Sequence, residues 1–316
     1  MNNSPLPNAP LVSVVIPAFN RAEVLPRSIG SVLAQTFTDF EIVVADDAST
    51  DATRETVAAL RGRDARVRLV ALGTNGGAAR ARNAGVAAAR GSFIAFLDSD
   101  DWWLPGKLTA QVAALSASAR PERTLCSHAY HVDDHLAPRI WPRRGPQPGE
   151  PLSEYMFVAN GNLQTSTWMV SRAVCAEFPF EPALRRHQDW DFLLRLAAAR
   201  VDFLFLAEPH GHRVCAPAPD RLSDIADAEY SRSFVEQRRA LFTPAARAAF
   251  GARTLAWQLY KCGHRQAALD CVWRGWRERG LSAGESVKIA LRLLLPGVHA
   301  ALVGWKEHPA ATGGSR

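Results

Sequence analysis

The stretch Phe93-Ile94-Ala95-Phe96-Leu97-Asp98-Ser99-Asp100-Asp101 decides the fold, because an apolar run ends abruptly at three carboxylates within four residues. An apolar run without alternation is typical of a strand that is covered on both faces, as in a parallel sheet between helices. In extended geometry the side chains of Asp98 and Asp100 point to the same side. Two carboxylates about 4 Å apart repel by about 4 kcal/mol at an effective dielectric of about 20. The pattern therefore predicts a cation between them.

Oxygen ligands of this kind suit Mg²⁺ or Mn²⁺. Proteins usually hold Mg²⁺ with one or two carboxylates together with the phosphates of a substrate. For an isolated Asp-x-Asp motif, the alternative is a solvated acidic turn that follows a strand. The rest of the chain decides between the two interpretations.

Composition indicates an ordinary globular protein that favours anionic partners. The chain has 316 residues, of which 47% are hydrophobic and 22% are charged, and 37 Lys and Arg against 31 Asp and Glu give a net charge of +6. This balance suits anionic ligands or an anionic membrane surface. No long basic run with interleaved aromatic residues occurs, so the sequence argues against nucleic acid as a partner.

Cysteine usage and the N-terminus predict a cytoplasmic protein in a reducing compartment. The five cysteines form no Cys-x-x-Cys pair and are odd in number, which favours neither a zinc ribbon nor a disulfide framework. Residues Met1 to Pro10 are polar and rich in proline, without a basic segment. The apolar Leu11 to Ile16 is too short for a signal-peptide core or a membrane span.

The first hundred residues alternate between predicted strands and helices. Strands are predicted at Ser13 to Pro17, Glu41 to Ala45 and Val67 to Leu72, before the one at Phe93, with a helical pattern after each of the first three. This alternation indicates βαβ units and a parallel sheet. Ligands bind beyond the carboxyl ends of such strands, where Asn20, Asp47 and Asp98 to Asp101 all fall. We therefore expect one shared crevice.

Three familiar nucleotide-binding patterns are missing. The first predicted strand is followed by Pro17-Ala18-Phe19-Asn20, which is neither the Gly-x-Gly-x-x-Gly of a dinucleotide-binding domain nor the basic glycine-rich loop of a sugar-nucleotide pyrophosphorylase. No P-loop motif occurs. The glycine-rich Gly73 to Gly77 follows a later strand and is typical of a close backbone approach rather than of a phosphate cradle.

The order and spacing of five motifs strongly resemble those of family 2 glycosyltransferases. The motifs are Ser13-Val14-Val15-Ile16-Pro17-Ala18-Phe19-Asn20, Ser31-Val32-Leu33-Ala34-Gln35-Thr36, Asp46-Asp47-Ala48-Ser49-Thr50-Asp51, Arg82-Asn83-Ala84-Gly85 and Phe96-Leu97-Asp98-Ser99-Asp100-Asp101. The resemblance implies a GT-A fold: an α/β, Rossmann-like, mostly parallel sheet flanked by helices. It places a transferase domain at 1–222, with the donor half at about 11–110 and the acceptor half at about 111–222. A helical C-terminal region at 223–316 follows.

The resemblance also assigns roles in donor binding. It implies that Asp47 bonds the uracil ring, that Asp98 contacts the ribose or the sugar, and that Arg82 lies beside the donor. Asp100 would bind the Mn²⁺ or Mg²⁺ that bridges the diphosphate and neutralises the charge on the leaving group. The residues implied to line the nucleoside pocket are Pro17, Phe19 and Asn20.

The catalytic base implied by the resemblance is Asp189. It lies in His187-Gln188-Asp189-Trp190-Asp191, which resembles an acidic motif at the start of a helix, with Gln188 where a Glu is common. An inverting transfer needs such a base to take the proton of the acceptor hydroxyl. The alternative is that Asp189 caps its helix or interacts with the helix dipole. Asp191 is interpreted as structural.

Two weaker assignments concern the acceptor and the metal. Residues Gly161 to Arg172 resemble the strand that lines the acceptor pocket, in which Trp168 either stacks on a sugar or is a buried aromatic residue. Downstream, the family often has an Arg followed by a His that completes the metal site. Here Arg213 matches but Cys215 takes the place of that His, which makes His212 the substitute candidate.

The C-terminal region shows helical apolar spacing mixed with arginines, at Ala245 to Tyr260, Gln266 to Arg279 and Glu285 to Leu295. The apolar Ile289 to Trp305 is interrupted by charged and proline residues, which argues against a membrane span. A basic amphipathic tail of this kind suits peripheral contact with the inner face of an anionic membrane. Packing on the catalytic domain, or on a second copy in a homo-oligomer, is the alternative.

Together these features predict an inverting, metal-dependent glycosyltransferase. It moves one sugar from a nucleotide diphosphate sugar, with UDP as the expected nucleotide, to a hydroxyl of a surface glycan or a lipid-linked acceptor. The chain has neither the transmembrane helices nor the Gln-x-x-Arg-Trp motif of processive members of the family. Two alternatives remain: a catalytically silent, transferase-like scaffold subunit, and a nucleotidyltransferase.

Overall fold

A computed structural model describes residues 9–133, 139–214 and 227–295 of the chain. The described residues group into two compact units. The first contains residues 9–133, 139–147 and 162–214, and the second contains residues 148–161 and 227–295. The boundary predicted at residue 222 lies outside the described residues, so that division of the chain stays a prediction.

The first unit is built on one mixed sheet. Its strands are β1 (Val12–Ala18), β2 (Phe40–Asp46), β3 (Val67–Ala71), β4 (Phe93–Phe96), β5 (Trp102–Trp103), β6 (Thr124–Asp133), β7 (Arg139–Trp141), β8 (Met169–Ser171) and β9 (Asp202–Val214). They lie in the order β3-β2-β1-β4-β8-β6-β9-β5, and β7 pairs with β6. Strands β3, β2, β1 and β4 are mutually parallel, whereas β8 is antiparallel to β4. The α/β, mostly parallel sheet predicted from the sequence is confirmed.

Helices flank this sheet and also form the second unit. They are α1 (Leu25–Leu33), α2 (Thr53–Arg63), α3 (Gly77–Ala88), α4 (Lys107–Ser116), α5 (Leu152–Phe157), α6 (Arg172–Glu177), α7 (Gln188–Ala198), α8 (Ala228–Gln237), α9 (Pro244–Phe250), α10 (Ala256–Lys261), α11 (Arg265–Arg277) and α12 (Ala283–Leu294). Helices α5 and α8 to α12 belong to the second unit. In the described residues, no helix is both long and apolar enough to span a bilayer.

Strand β4 is buried on both faces, as its apolar sequence predicts. Ala95 belongs to a core cluster that also contains Val14 and Ile42. Phe96 faces a separate aromatic cluster, in which its ring meets that of Phe180 edge to face at 5.4 Å. Alternate residues of one short strand therefore pack into two different layers, which is why the run has no polar positions.

The carboxylates after β4 form a turn instead of extending the strand. The Asp101 amide donates to the Asp98 carbonyl at 3.1 Å, and residues 99 and 100 are the corner of the turn. The expectation of extended geometry, which would point the Asp98 and Asp100 side chains to the same side, is therefore wrong. A closed turn brings three acidic residues together at the end of one strand.

Helix α3 approaches the sheet closely at Gly85. A Cβ atom at this position would lie 2.4 Å from Cγ1 of Val15 on β1, which no real side chain tolerates. The glycine lets the helix backbone rest on the strand, and one helical turn earlier this brings Arg82 over the end of the sheet.

In the second unit, the predicted helices occur with shifted boundaries. The pattern over Ala245 to Tyr260 is divided between α9 and α10 by a single π-helical turn at Gly251–Leu255. Helix α12 begins at Ala283 rather than Glu285, because Ser282 and Glu285 form a reciprocal capping box. The core of this unit contains Leu255, Ala256, Leu259, Ala268, Val272 and Leu293.

Candidate active site

The carboxyl ends of β1 and β2 are joined by side chains. Asn20 follows β1 with a left-handed backbone, φ 53°, and its Oδ1 accepts from the Thr50 amide at 2.9 Å. In return, the Asn20 amide donates to Oγ of Ser49 at 2.9 Å. Of the residues predicted to line the nucleoside pocket, Pro17 is buried within β1 while Phe19 is 41% exposed. The Phe19 ring therefore presents an open apolar face at this edge of the sheet.

Asp47 anchors the glycine-rich loop that precedes α3. Its carboxylate accepts from the amide of Gly76 at 2.9 Å and from that of Gly77 at 2.6 Å. These amides belong to the start of α3, which would otherwise be open to an anion. The loop Gly73 to Gly77 thus joins the site through its bonds to Asp47. The Gly76 and Gly77 amides already donate to that carboxylate, so they do not form a phosphate cradle.

The acidic turn is held from one side by α1. Oγ of Ser28 lies 2.7 Å from the carbonyl oxygens of both Ser99 and Asp101. The Arg27 guanidinium donates to the Asp100 carbonyl at 3.0 Å. These contacts fix the backbone of the turn, so the carboxylates are placed by the fold and not by a ligand.

From the other side, the turn is held by the segment that precedes β8. Oγ of Ser166 accepts from the Asp98 amide at 2.9 Å and donates to Oδ2 of Asp101 at 2.6 Å. Nε2 of Gln164 donates to the same oxygen at 2.8 Å and to Oδ2 of Asp98 at 3.2 Å. We call Gln164, Ser166 and Asp101 the acidic-turn clamp.

Asp101 is therefore a structural member of the acidic cluster. It is buried, and its other oxygen accepts from the Val214 amide at 3.0 Å. Burial and the negative charges of Asp98 and Asp100 raise the pKa of Asp101 to about 7. Gln164 and Ser166 lie more than sixty residues from the turn in sequence. They fall within the segment that resembles an acceptor-lining strand, and that resemblance does not indicate their bonds to the turn.

Arg82 joins the donor motif to the start of α7. Its Nη2 lies 2.7 Å from Oδ1 of Asp98, and its Nη1 donates to Oε1 of Gln188 at 3.4 Å. The residue is buried, and its Nε atom has no hydrogen-bond partner among the described residues. A buried guanidinium with an unused donor is suited to an anionic or polar ligand. The structure thus brings together two of the predicted donor residues, Arg82 and Asp98.

Asp189 lies in the first turn of α7, next to Gln188. Burial raises the pKa of the Asp189 carboxyl above its ordinary value, and the negative charge of Asp98 adds to this rise. The Trp190 amide and the positive charge of Arg82 oppose it. A carboxyl with a raised pKa is the stronger base when it is ionised. The neighbouring Asp191 is buried in an ion pair with Arg195 at 2.7 Å, which makes it structural.

His212 lies in a ladder of rings across three strands. It is in register with Trp102 on β5 and with His131 on β6, on either side of β9. Its ring stacks on Trp102 at 3.7 Å and on His131 at 4.7 Å. Nδ1 of His212 lies 3.1 Å from the Asp133 carboxylate, so this nitrogen carries the proton and Nε2 keeps its lone pair in the neutral ring.

Within residues 9–133, 139–214 and 227–295, no three His, Cys, Asp or Glu side chains are placed together so as to hold a metal. Asp98 pairs with Arg82, and Asp101 accepts from Gln164 and Ser166. A carboxylate such as that of Asp100 and an imidazole nitrogen such as Nε2 of His212 are types of ligand that hard or borderline cations accept. Burial, followed by the negative charges of Asp98 and Asp100, raises the pKa of Asp101, so carboxylates lie close together in this turn. Cys215 lies outside the described residues.

Trp168 does not lie on an open surface. It is fully buried, and its ring stacks on that of Phe192 at 5.6 Å and meets that of Phe96 at 6.3 Å. Stacking on an acceptor sugar is therefore wrong for this residue, and the alternative of a buried aromatic in the sheet is correct. Trp103 is also buried and donates from Nε1 to the Ser166 carbonyl at 2.7 Å.

The architecture is similar to that of two solved proteins in complex with nucleotide sugars. It is similar to that of the S. aureus protein TarS in complex with UDP-GlcNAc, with a TM-score of 0.64, 16% identity and coverage of 93% of this chain and 91% of that one. The mannosyltransferase PcManGT from Pyrobaculum calidifontis, in complex with GDP-Man and Mn²⁺, matches with a TM-score of 0.59 at 17% identity, over 94% and 84% of the two chains. The fold is therefore that of a GT-A glycosyltransferase.

The family model described as "Glycosyl transferase family 2" matches residues 13–173, about half of the chain. The chain belongs to this family, and it is a glycosyltransferase. It is 31% identical over 202 residues to the amylovoran biosynthesis glycosyltransferase AmsB of Erwinia amylovora, which covers 62% of this chain and 67% of AmsB. It is 44% identical over 105 residues to the Escherichia coli UDP-Glc:alpha-D-GlcNAc-diphosphoundecaprenol beta-1,3-glucosyltransferase WfgD. That match covers 33% of this chain and 41% of WfgD.

Proposed function

We propose that this chain is an inverting, metal-dependent glycosyltransferase that transfers a single sugar from a nucleotide diphosphate donor to a hydroxyl group. The observation that carries the proposal is the pair of contacts made by Arg82. Its guanidinium bonds Asp98 in the acidic turn and Gln188 at the start of α7. One buried side chain thus connects the predicted donor motif to the segment that carries the predicted base.

For the donor, we propose a UDP-sugar. TarS binds UDP-GlcNAc and the name of WfgD contains UDP-Glc, whereas PcManGT binds GDP-Man. In this chain the exposed ring of Phe19 and the ordered loop at Asn20 would contact the nucleoside, beside Pro17. The Asp47 carboxylate, which the Gly76 and Gly77 amides hold in place, would accept a hydrogen bond from the uracil ring. Asp98 and the guanidinium of Arg82 would contact the ribose, the sugar or the diphosphate.

For the cofactor, we propose Mn²⁺ or Mg²⁺ at Asp100. The described side chains fit such an ion when the donor's phosphate oxygens supply the remaining ligands, which is how proteins commonly hold Mg²⁺. His212 is a second candidate ligand, because a metal-binding His usually donates its other ring nitrogen to a carboxylate, as Nδ1 does to Asp133. When bound, the ion would neutralise the charge on the departing nucleoside diphosphate.

For the chemistry, we propose direct displacement with Asp189 as the base. The acceptor oxygen forms a bond to the anomeric carbon while the bond from that carbon to the diphosphate breaks, and the hydroxyl proton passes to the Asp189 carboxylate. The displacement inverts the anomeric centre. The raised pKa of Asp189 increases its affinity for this proton. Arg82 would orient the start of α7 through Gln188 and offset the negative charge beside the base.

For the acceptor, we propose a hydroxyl on a surface glycan or on a lipid-linked sugar, in polysaccharide biosynthesis at the inner face of the membrane. The name of AmsB refers to amylovoran biosynthesis, and that of WfgD refers to an alpha-D-GlcNAc-diphosphoundecaprenol. Peripheral contact through the C-terminal helices would bring the enzyme to such an acceptor. The cytoplasmic location predicted from the sequence is part of this proposal.

The test is nucleotide-dependent thermal unfolding followed by donor turnover. Wild-type protein is heated with UDP, GDP, dTDP, CMP, ATP and NAD, with and without Mn²⁺. A ligand at a hundred times its Kd stabilises by about 2.7 kcal/mol, which for a chain of this size raises Tm by about 2–4 °C. We expect UDP to do so only with the metal, and Asp100→Asn to abolish the rise.

The matched control is Asp202→Asn, since that carboxylate lies on the surface in a 3.5 Å ion pair with Arg120. It should leave the nucleotide effect unchanged. A rise that persists in Asp100→Asn would assign the metal elsewhere. Absence of any nucleotide effect on the wild type would favour the scaffold alternative. Turnover then separates the transferase from a binding module. A transferase releases UDP from a UDP-sugar as wild type, whereas Asp189→Asn binds the nucleotide and releases no UDP.

A further inference from the structure

Exposed apolar side chains are concentrated at the end of the helical unit. Among the described residues, nine large apolar side chains are exposed, and six of them lie between Trp273 and Leu295. On α11, Trp273 and Trp276 are 51% and 50% exposed. These two are three positions apart, so they share one side of the helix. Isolated exposed apolar residues are normal, but a cluster indicates an interaction surface.

Helix α12 has two apolar sides. Leu293 is buried in the core of the unit, and Ile289 packs against that core. On the other side, Val287, Leu291 and Leu294 are 57%, 41% and 56% exposed. Their spacing of four and three residues places them in one stripe, and Leu295, at 48%, continues it. Packing in the core explains why the inner side of α12 is apolar. It does not explain why the outer stripe is apolar.

Basic residues accompany these apolar ones. Residues 261–295 contain seven Lys and Arg against three Asp and Glu, an excess of four where the whole chain has an excess of six. Lys288 and Arg292 lie beside the α12 stripe on the exposed surface, and the Arg277 guanidinium covers the Trp273 ring at 4.5 Å. Exposed aliphatic, Trp and basic side chains on short helices are the composition of helices that lie in a membrane interface.

We propose that the outer stripe of α12, defined by Val287, Leu291, Leu294 and Leu295, binds an anionic lipid bilayer, with the exposed Trp273 and Trp276 of the adjoining α11 as further anchors. The apolar side chains enter the boundary between head groups and acyl chains, and the Lys and Arg side chains contact the anionic head groups. The bilayer is the occupant that the charge favours, because the Lys and Arg side chains beside the apolar stripe are complementary to anionic head groups. These residues specify the peripheral membrane contact. The purpose of that contact rests on the proposed function, because a lipid-linked acceptor lies in the membrane.

The test measures binding to vesicles by cosedimentation of the full chain. Phosphatidylcholine vesicles are compared with vesicles that contain about 30 mol% phosphatidylglycerol, which carry the negative surface potential of a cytoplasmic leaflet. We expect binding to the anionic vesicles, weakened by salt because the head-group attraction is screened. The double variant Val287→Gln, Leu291→Gln should lower the partition constant by about tenfold, because two apolar side chains no longer enter the bilayer.

The matched control is Ile140→Gln, which removes an apolar side chain that is 46% exposed in the first unit. It should leave vesicle binding unchanged. Equal loss in both variants, or no binding by the wild type, would overturn the proposal. If a chain that ends at residue 295 binds where the full chain does not, residues 296–316 cover the surface, and the bilayer is again the wrong occupant.

The vesicle experiment needs neither donor nor acceptor. Its failure would leave the transferase proposal intact, provided that the Tm rise with UDP and Mn²⁺ is kept in the same preparation. Conversely, vesicle binding without a nucleotide effect would support the surface and contradict the proposed function.

Discussion

The acidic turn of the first unit and the outer side of α11 and α12 depart from the usual distribution of residues in opposite ways. In the turn, polar groups such as Asp101 and Ser166 are buried, whereas on α12 apolar side chains such as Leu291 are exposed. Most surface and core residues need no functional explanation, but buried polar groups and clustered exposed apolar groups do. In the first region, hydrogen bonds between distant segments fix the geometry of the turn. In the second, apolar side chains such as Val287, which is 57% exposed, present much of their surface outward.

The comparison predicts large effects for substitutions at the first region. Asp189→Asn should lower the transfer rate by about a thousandfold, because a positioned general base contributes between about a hundred and ten thousand. Donor binding and Tm should change little, since an amide of the same size replaces the carboxyl. The measurement is single-turnover transfer next to nucleotide-dependent Tm. Glu181→Gln, at a carboxylate that precedes α7 and accepts from the Ala183 amide at 3.1 Å, is the control. Unchanged turnover would assign the base to another residue.

The pH dependence of transfer tests the same carboxyl. Because the pKa of Asp189 is raised by burial, the acid form persists to higher pH than for an ordinary carboxyl. The base works when deprotonated, so activity should fall as pH falls through this raised pKa, by about a hundredfold over two units below it. In Asp189→Glu, with a longer side chain, the midpoint of this limb should move. A limb at the ordinary carboxyl pKa, or an unmoved midpoint, would contradict the assignment.

Arg82 should show a combined effect on stability and binding. Arg82→Gln leaves Asp98 without its cation at 2.7 Å, which should cost about 2 kcal/mol of unfolding free energy. The value is below that of a fully buried pair because the Asp98 side chain is about a quarter exposed. Affinity for the donor should fall as well. Arg80→Gln on the same helix removes an exposed guanidinium that bonds Thr74, and should affect neither quantity.

The acidic-turn clamp should show a smaller effect. Ser166→Ala removes the acceptor of the Asp98 amide and a donor to Asp101, leaving buried polar groups unpaired at a cost of about 1–2 kcal/mol. The turn carries the predicted metal ligand, so metal affinity measured with the nucleotide should also fall. Ser118→Ala, which removes a hydroxyl that donates to the Leu115 carbonyl at 2.8 Å, is the comparison. A loss of stability without any change in metal affinity would make Ser166 purely structural.

The sequence predicted what depends on local pattern. Apolar runs ending in polar residues located the ends of β1, β2 and β4, and parallel pairing then required Asn20, Asp47 and Asp98 to lie at one edge. Contacts between distant segments could not be predicted this way. Gln164 and Ser166 bond a turn more than sixty residues away, and Arg82 meets Gln188 across 106 residues. Nothing in the sequence around Trp168 distinguishes a ring on a sugar from a ring in a core, because both favour the same aromatic residue.

The smallest effect is expected where the two regions differ most. Val287→Gln, Leu291→Gln should change the unfolding free energy by less than about 0.5 kcal/mol, because exposed substitutions away from caps and buried contacts are close to neutral. Leu293 lies on the inner side of the same helix. Leu293→Ala should lower the unfolding free energy by about 2–3 kcal/mol, because it opens a cavity in the core of the unit. Chemical denaturation of the wild type, the double variant and Leu293→Ala measures both changes in unfolding free energy. If the double variant loses as much unfolding free energy as Leu293→Ala, the outer stripe is packed within the molecule in solution. The stripe would then be part of the core, as the acidic turn is, and would not be a surface for a partner.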